Sequence, residues 1–379
     1  MSYLEHHSKT IPQGAKKLLY VHWPLVLLVT TVAVIGFLML YSVAGGSFQP
    51  WAGPQMQRFG LGFAVMFVFA MVPIWFWRNI SALAFGVSLL LLIAVEVMGQ
   101  VGMGAQRWID IGPLRLQPSE LAKIGVVMAL AAYFDWLPNQ RLSHPFAILG
   151  ALIIIALPAG LTFIQPDLGT ALLIVIVGAI VIFVAGVHWA YFAAVFAIGA
   201  GAIAAVFQSR GTPWQLLKDY QYRRIDTFLD PSSDPLGAGY HITQSKIALG
   251  SGGWTGRGFM QGTQSRLNFL PEKHTDFIFT TLAEEFGFIG AGALLLIYTL
   301  IIVFCIVAAL RAKDRYASLL IFGLSANFFL YFAVNMAMVM GLAPVVGVPL
   351  PLVSYGGSAM LVLLAGFGLI QSAHIHRPR

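Results

Sequence analysis

The chain has 379 residues, of which 58% are hydrophobic and 10% charged, and its mean hydropathy is +0.81. A soluble globule carries charge at roughly 25% of its positions, so composition excludes that class. The net charge of +7 does not point to nucleic acid, because the basic residues gather at the ends of apolar runs, as orientation signals and partners for anionic headgroups.

The apolar residues come in blocks close to the ~20 that a helix needs to cross a bilayer. Lys9, Lys16 and Lys17 precede the run Leu25–Ala44, and Ser42-Val43-Ala44 mimics a cleavage site. The run is too long for a signal core and reads as an uncleaved first span. Further spans are expected at Leu61–Trp77, Ala82–Gly99, Leu121–Phe134 (reaching back to Ser119), Phe146–Ile164, Leu168–Val187 and Trp189–Phe207. After a long polar interval come Phe286–Leu310, Tyr316–Met340 and Ser354–Gln371. The fourth is short enough to be broken or tilted. Cys305, the single cysteine, lies in an apolar run, so a disulfide framework is excluded and a small buried hydrophobe is expected.

The fold expected is an all-α integral membrane protein in which residues 1–379 form one polytopic domain. It has about ten transmembrane helices and one large extracytoplasmic loop, 208–285, between the seventh and eighth. Orientation follows from the short loops. With the N-terminus inside, that side collects Lys9, Lys16, Lys17, Arg78, Arg141, Arg311, Lys313, Arg315, Arg377 and Arg379, against Arg58, Arg107 and Arg115 outside. Both termini are therefore expected in the cytoplasm.

The polar interval is not low-complexity. Asp230-Pro231-Ser232-Ser233-Asp234-Pro235 is turn chemistry. Gly250, Gly252, Gly253, Gly256 and Gly258 allow close approach but match neither a Walker loop nor a dinucleotide fingerprint. Beyond them Glu272, Lys273, His274, Asp276, Glu284 and Glu285 follow in close order. Asp276 meets the apolar Phe277-Ile278-Phe279, where desolvation and neighbouring cations set a carboxylate's chemistry. Glu272 and Lys273 read equally well as a solvated surface.

Other ionisable groups fall at the same outer level. Ser119 is an N-cap candidate with Glu120 in the first turn, and Glu120 and Lys123, three apart, share a helix face and can pair. A structural ion pair and a cavity-facing role are both open for them. Gln165-Pro166-Asp167-Leu168-Gly169-Thr170 brings a further carboxylate, while Glu96 reads as a snorkelling interfacial acid. Such a level suits a polar headgroup whose tails remain in the bilayer. Arg107, Lys123, Arg223 and Arg224 would suit a pyrophosphate, and Trp108 a stacked sugar. No His/Cys cluster has zinc spacing and no Gly-x-Ser-x-Gly elbow occurs. The proline-rich stretch from Pro344 to Ser358 reads as non-helical backbone lining a cavity.

In these stretches the chain resembles the SEDS (shape, elongation, division, sporulation) membrane glycosyltransferases, RodA type. The resemblance runs from about Pro24 to His376. It is carried by GAQRW (Gly104–Trp108), QPSELAK (Gln117–Lys123), QPDLGT (Gln165–Thr170), DPLGAGYH (Asp234–His241), QSKIALGSGG (Gln244–Gly253), GTQSRLNFLPEKHTDFIF (Gly262–Phe279) and PVVGVPLPLVSYGGSA (Pro344–Ala359). The last motif and the short N-terminus favour the elongation branch over the division branch.

The resemblance implies a peptidoglycan glycosyltransferase of the bacterial inner membrane that polymerises lipid II, with polyprenyl pyrophosphate as leaving group. It places the catalytic aspartate of the HTDF motif at Asp276. It adds Lys246, His274, Ser354 and Tyr355, each inside a motif, to the substrate-contacting candidates. It also implies a class B penicillin-binding protein as partner. No cofactor is required, though a divalent cation is compatible with the carboxylates. A flippase for the lipid-linked precursor and a non-catalytic scaffold are the competing readings. The first predicts ionisable groups at mid-membrane or on both faces, and the second no need for Asp276.

Overall fold

The computed structural model describes residues 14–102, 105–111, 114–216, 219–230, 238–263, 273–345 and 347–377. The helices are α1 (Trp23–Val43), α2 (Ala52–Met71), α3 (Ile74–Met98), α4 (Pro118–Trp136), α5 (Pro145–Ile164) and α6 (Leu168–Val184), then α7 (Trp189–Ser209), α8 (Asp219–Leu229), α9 (Ala238–Ser251), α10 (Ile278–Leu310), α11 (Arg315–Val339) and α12 (Gly357–Ile375). Their starts are written locally. Pro24 occupies the first turn of α1, and Asp167 and Asp314 cap α6 and α11 by accepting from Thr170 N and Ala317 N.

Nine of the ten expected spans fall on a single helix, though not always with its bounds. By length and composition α1, α3, α5, α7, α10, α11 and α12 can cross a membrane, and α6 is a shorter apolar helix. The expected second span, Leu61–Trp77, is divided: α2 ends at Met71, Val72 is extended, and α3 begins after Pro73. Residues before proline are pushed out of the helical region. The last span starts at Gly357, not Ser354, because Ser354 accepts from Leu350 N at 2.8 Å in the preceding loop.

Two differences bear on the fold class. The bundle is not purely helical: β1 (Gln100–Gly102), β2 (Ala105–Ile111) and β3 (Leu114–Leu116) form an antiparallel sheet of order β1-β2-β3 between α3 and α4. Ile109 pairs with Leu116 and Asp110 with Arg115, whose side chains meet at 3.2 Å, an opposite-charge cross-strand pair. The interval 208–285 is likewise not a loop throughout. It contains α8, α9 and the start of α10, which opens at Ile278 rather than Phe286 and breaks at Gly287 (φ 64, ψ −162).

At the bundle centre α4 packs against α3, α5, α6, α11 and α12, and α2 lies along α12. Small residues set these approaches: a Cβ on Gly62 would lie 2.6 Å from Leu364 Cδ1, and one on Gly323 2.5 Å from Val127 Cγ1. In α7 only Ser209 is buried.

Polar contacts distinguish the two ends of the bundle. At one, Arg78 joins Asp135 (3.3 Å) and Asp314, and Arg315 reaches Asn139 Oδ1 (2.8 Å) and the carbonyls of Leu137 and Ala185. The other end carries the sheet and the starts of α4, α6 and α10.

Candidate active site

The site is assembled around the first turns of α4 and the C-terminal half of α11. Lys123 donates to Glu120 Oε1 at 2.8 Å, as the i, i+3 spacing predicts. Glu120 also accepts the Tyr331 hydroxyl at 2.6 Å. The ammonium sits 4.1 Å from the centre of the Tyr331 ring, a cation–π contact. Lys123 is 1% exposed and Glu120 6%.

One turn further along α11, Asn335 donates to the carbonyls of Asp276 (2.9 Å) and Val348 (2.7 Å). A single helix face therefore ties the Glu120–Lys123 pair to the segment carrying Asp276. That segment, 273–277, is a series of turns entering α10. It is fastened on its other side by the chain before α12: Tyr355 N donates to His274 O at 2.9 Å and Ser354 Oγ to Thr275 O. Gln55 of α2 secures the same strand, donating to Ser354 O at 2.9 Å. A Cβ on Gly347 would stand 3.7 Å from Asp276 Oδ2.

Beside Asp276 lies an aromatic and cationic stack. The His274 ring stacks on Trp51 (4.6 Å between centroids, 15° between planes) and lies 6.2 Å from Tyr355. Arg58 lies over the Tyr355 ring, 4.8 Å from its centre. Lys273 is buried, and desolvation pulls its ammonium below the ordinary lysine range.

Asp167 forms a separate group. It accepts from Thr170 N and Gln117 Nε2, both at 3.2 Å, and lies 3.8 Å from Arg107 Nη1. Arg107 also bonds the carbonyls of Gln165 and Pro166. Gln117, not Ser119, stands at the N-cap position of α4, without a side-chain cap bond, and its backbone N–H reaches Ser358 Oγ at 3.3 Å. The two groups thus meet through the first turn of α4, not through a direct Glu120–Asp167 bond.

Other expected residues lie outside this cluster. Trp108 is half-buried on β2. Lys246 is exposed on α9 and rests on the turn after α11, where a Cβ on Gly341 would lie 2.8 Å from its Nζ. Arg223 and Arg224 fall on α8, with side chains outside the described residues. Glu96 is exposed. Among the described residues, no three His, Cys, Asp or Glu are grouped to hold a metal ion.

Sequence reasoning missed Tyr331, Asn335, Trp51 and Gln55, and counted Arg58 only as a loop charge. A signal existed for two of them. Tyr331 and Asn335, four apart in a mostly apolar helix, share a face, and polar groups inside a membrane helix ordinarily face a cavity or a partner.

Residues 22–379 match the FtsW/RodA/SpoVE cell cycle protein family model. The chain belongs to the FtsW/RodA/SpoVE family. It is 41% identical over 358 residues to the peptidoglycan glycosyltransferase MrdB of Escherichia coli K12, covering 93% of each chain. Stage V sporulation protein E of Bacillus subtilis is 34% identical, over 91% of this chain and 94% of that one.

Among solved structures, a chain from a peptidoglycan synthase complex superposes with a TM-score of 0.81 at 32% identity, over 93% of this chain and 97% of that one. The rod shape determining protein RodA of Thermus thermophilus gives 0.71 at 28%, over 95% and 98%. The family match spans every element that builds the cluster, from α2 through α12.

Proposed function

We propose that this chain is a peptidoglycan glycosyltransferase that polymerises lipid II into glycan strands during cell elongation, with Asp276 as general base. The observation that carries the reading is the convergence on Asp276: α11 and the chain before α12, itself secured by α2, hold its segment beside the buried Glu120–Lys123–Tyr331 group. An acceptor sugar hydroxyl is a weak nucleophile at neutral pH, and a positioned carboxylate takes its proton as the hydroxyl oxygen attacks. The new bond forms at the donor anomeric carbon as its bond to the phosphate oxygen breaks, and polyprenyl pyrophosphate departs. An activated phosphate needs no protonating acid, so one carboxylate suffices where glycoside hydrolysis uses two.

The departing charge requires cations. Lys123 is buried and committed to Glu120 and Tyr331, and Arg107 to Asp167 and two carbonyls, so the half-buried Arg58 at the same end is the better placed for that role. Trp51, His274 and Tyr355 offer flat faces for a sugar. In this reading the chain lies in the bacterial inner membrane with about ten spans, both termini cytoplasmic and this site outside. A class B penicillin-binding protein is its partner, a reading supported by likeness to a chain from a synthase complex.

The test is polymerisation of lipid II by the purified pair with the partner's transpeptidase blocked. Glycan strands lost in Asp276→Asn, with lipid II and partner still bound, support the reading. Strand synthesis that survives Asp276→Asn moves the catalytic base to another residue, no synthesis by the wild-type pair leaves the scaffold alternative, and translocation of lipid II without polymerisation leaves the flippase.

A further inference from the structure

We infer that the cleft between the ends of α4 and α5, at the opposite end of the bundle from Asp276, binds the phosphate headgroup of an acidic glycerophospholipid of the adjoining leaflet. The cleft has a volume of about 450 Å³, within the range of small-molecule sites. Its floor is built by packing. Tyr133 donates to Ala147 O at 2.9 Å, and it fits because Gly150 has no side chain; a Cβ there would lie 2.5 Å from the hydroxyl.

The lining has one sign of charge. Arg141 and His144 face the cleft and no carboxylate does. Among the described residues Arg141 makes no ion pair, whereas the nearby Asp135 is already engaged by Arg78. Arg315 and Lys17 stand close to the same level, bonded there to carbonyls and an amide, not to carboxylates, which raises the local potential for an anion.

The remaining walls fit a lipid rather than a free anion. Trp136 is 79% exposed and Phe146 77%, and both line the cleft where α4 ends and α5 begins. Such aromatic residues settle at the level of the headgroups. His144 stacks on Phe146 at 5.6 Å, which holds the imidazole at the mouth. From Phe146 an exposed apolar stripe descends α5 through Leu149, Ile153 and Leu157, spaced to share one helix face. A cationic mouth continuous with an apolar stripe matches a phosphodiester with an acyl chain below it.

The experiment uses the full chain in phosphatidylcholine vesicles. A minor lipid fraction carries bromine near the top of its acyl chains, on either phosphatidylglycerol or phosphatidylcholine. The Trp136 signal is taken as the difference between wild type and Trp136→Phe. Brominated phosphatidylglycerol should quench it about fivefold more effectively than brominated phosphatidylcholine, the preference expected from one cation at a lipid surface. Arg141→Glu, at an exposed position, should abolish or reverse that preference, and Arg141→Lys should keep most of it. Glycerol phosphate in the buffer should leave it unchanged. Equal quenching by the two lipids, or a preference untouched by Arg141→Glu, overturns the inference. A preference erased by glycerol phosphate also overturns it, because the occupant would then be a free anion.

Discussion

The burial of Lys123 has a cost that only its partners offset. Removing one member of a buried ion pair strands the other, typically at about 3–5 kcal/mol. Here Glu120 would retain Tyr331, at 2.6 Å, which softens the loss on that side. Lys123→Met should therefore yield folded protein with a lowered Tm, and polymerisation per folded molecule should fall at least about tenfold if the pair serves the site. Near-normal rates in both Lys123→Met and Glu120→Gln would make the pair structural. Asp276→Asn is the complementary case. It keeps the shape and the backbone bond from Asn335, so thermal stability should hold while polymerisation falls by a factor of about 10²–10⁴. A rate near wild type in that variant would move the catalytic base elsewhere, with Asp167 next. At this scale the sequence was informative where spacing alone pairs two residues, as for Glu120 and Lys123. It was silent where the partner comes from a distant helix, as for Tyr331 and Glu120.

Among the elements, the break in α10 sets off the short helical stretch 278–286 that follows Asp276. Gly287 adopts φ 64, a left-handed conformation, and the strap around Gly253–Gly258 pairs with the helix across the break. Arg257 N and Gly258 N donate to the carbonyls of Glu284 and Glu285, and Phe288 N and Ile289 N to those of Gly253 and Trp254. Below the strap, Ser42 of α1 donates to Glu285 Oε1. A Cβ on Gly287 would fall 2.3 Å from Gly256 N. Gly287→Ala should thus cost about 1–3 kcal/mol, read as a fall in Tm in detergent, and should loosen the strap's hold on Glu284 and Glu285. Unchanged stability would mean that the strap yields at little cost. None of this pairing was visible beforehand, because a glycine-rich stretch announces close approach without naming what approaches. The sheet was hidden for a related reason: strands of three residues, Gln100–Gly102 and Leu114–Leu116, are too short to show a period.

For the whole molecule, hydropathy made the helices legible and chain punctuation decided their bounds. The run through Leu61–Trp77 looked continuous because Pro73 sits among apolar neighbours, yet the helix stops there. Orientation rests on charge. Ser47, at the end bearing Asp276, and Gln140, at the basic end, are both exposed, and the native Cys305 is buried. In intact cells an impermeant thiol reagent should label Ser47→Cys and spare Gln140→Cys. The reverse pattern would place the Asp276 cluster in the cytoplasm and remove the glycan-polymerising reading with it.

The face shared by Tyr331 and Asn335 makes α11 a ruler as well as a support. Four residues at 1.5 Å each set the two contacts about 6 Å apart along the axis, and each residue added turns the helix by about 100°. One extra residue between them would swing Asn335 away from the Asp276 and Val348 carbonyls while Tyr331 stayed on Glu120. The spacing is therefore indivisible: chain length can vary in the loops on either side of α11, but within that turn a change of even one residue uncouples the ion pair from the aspartate.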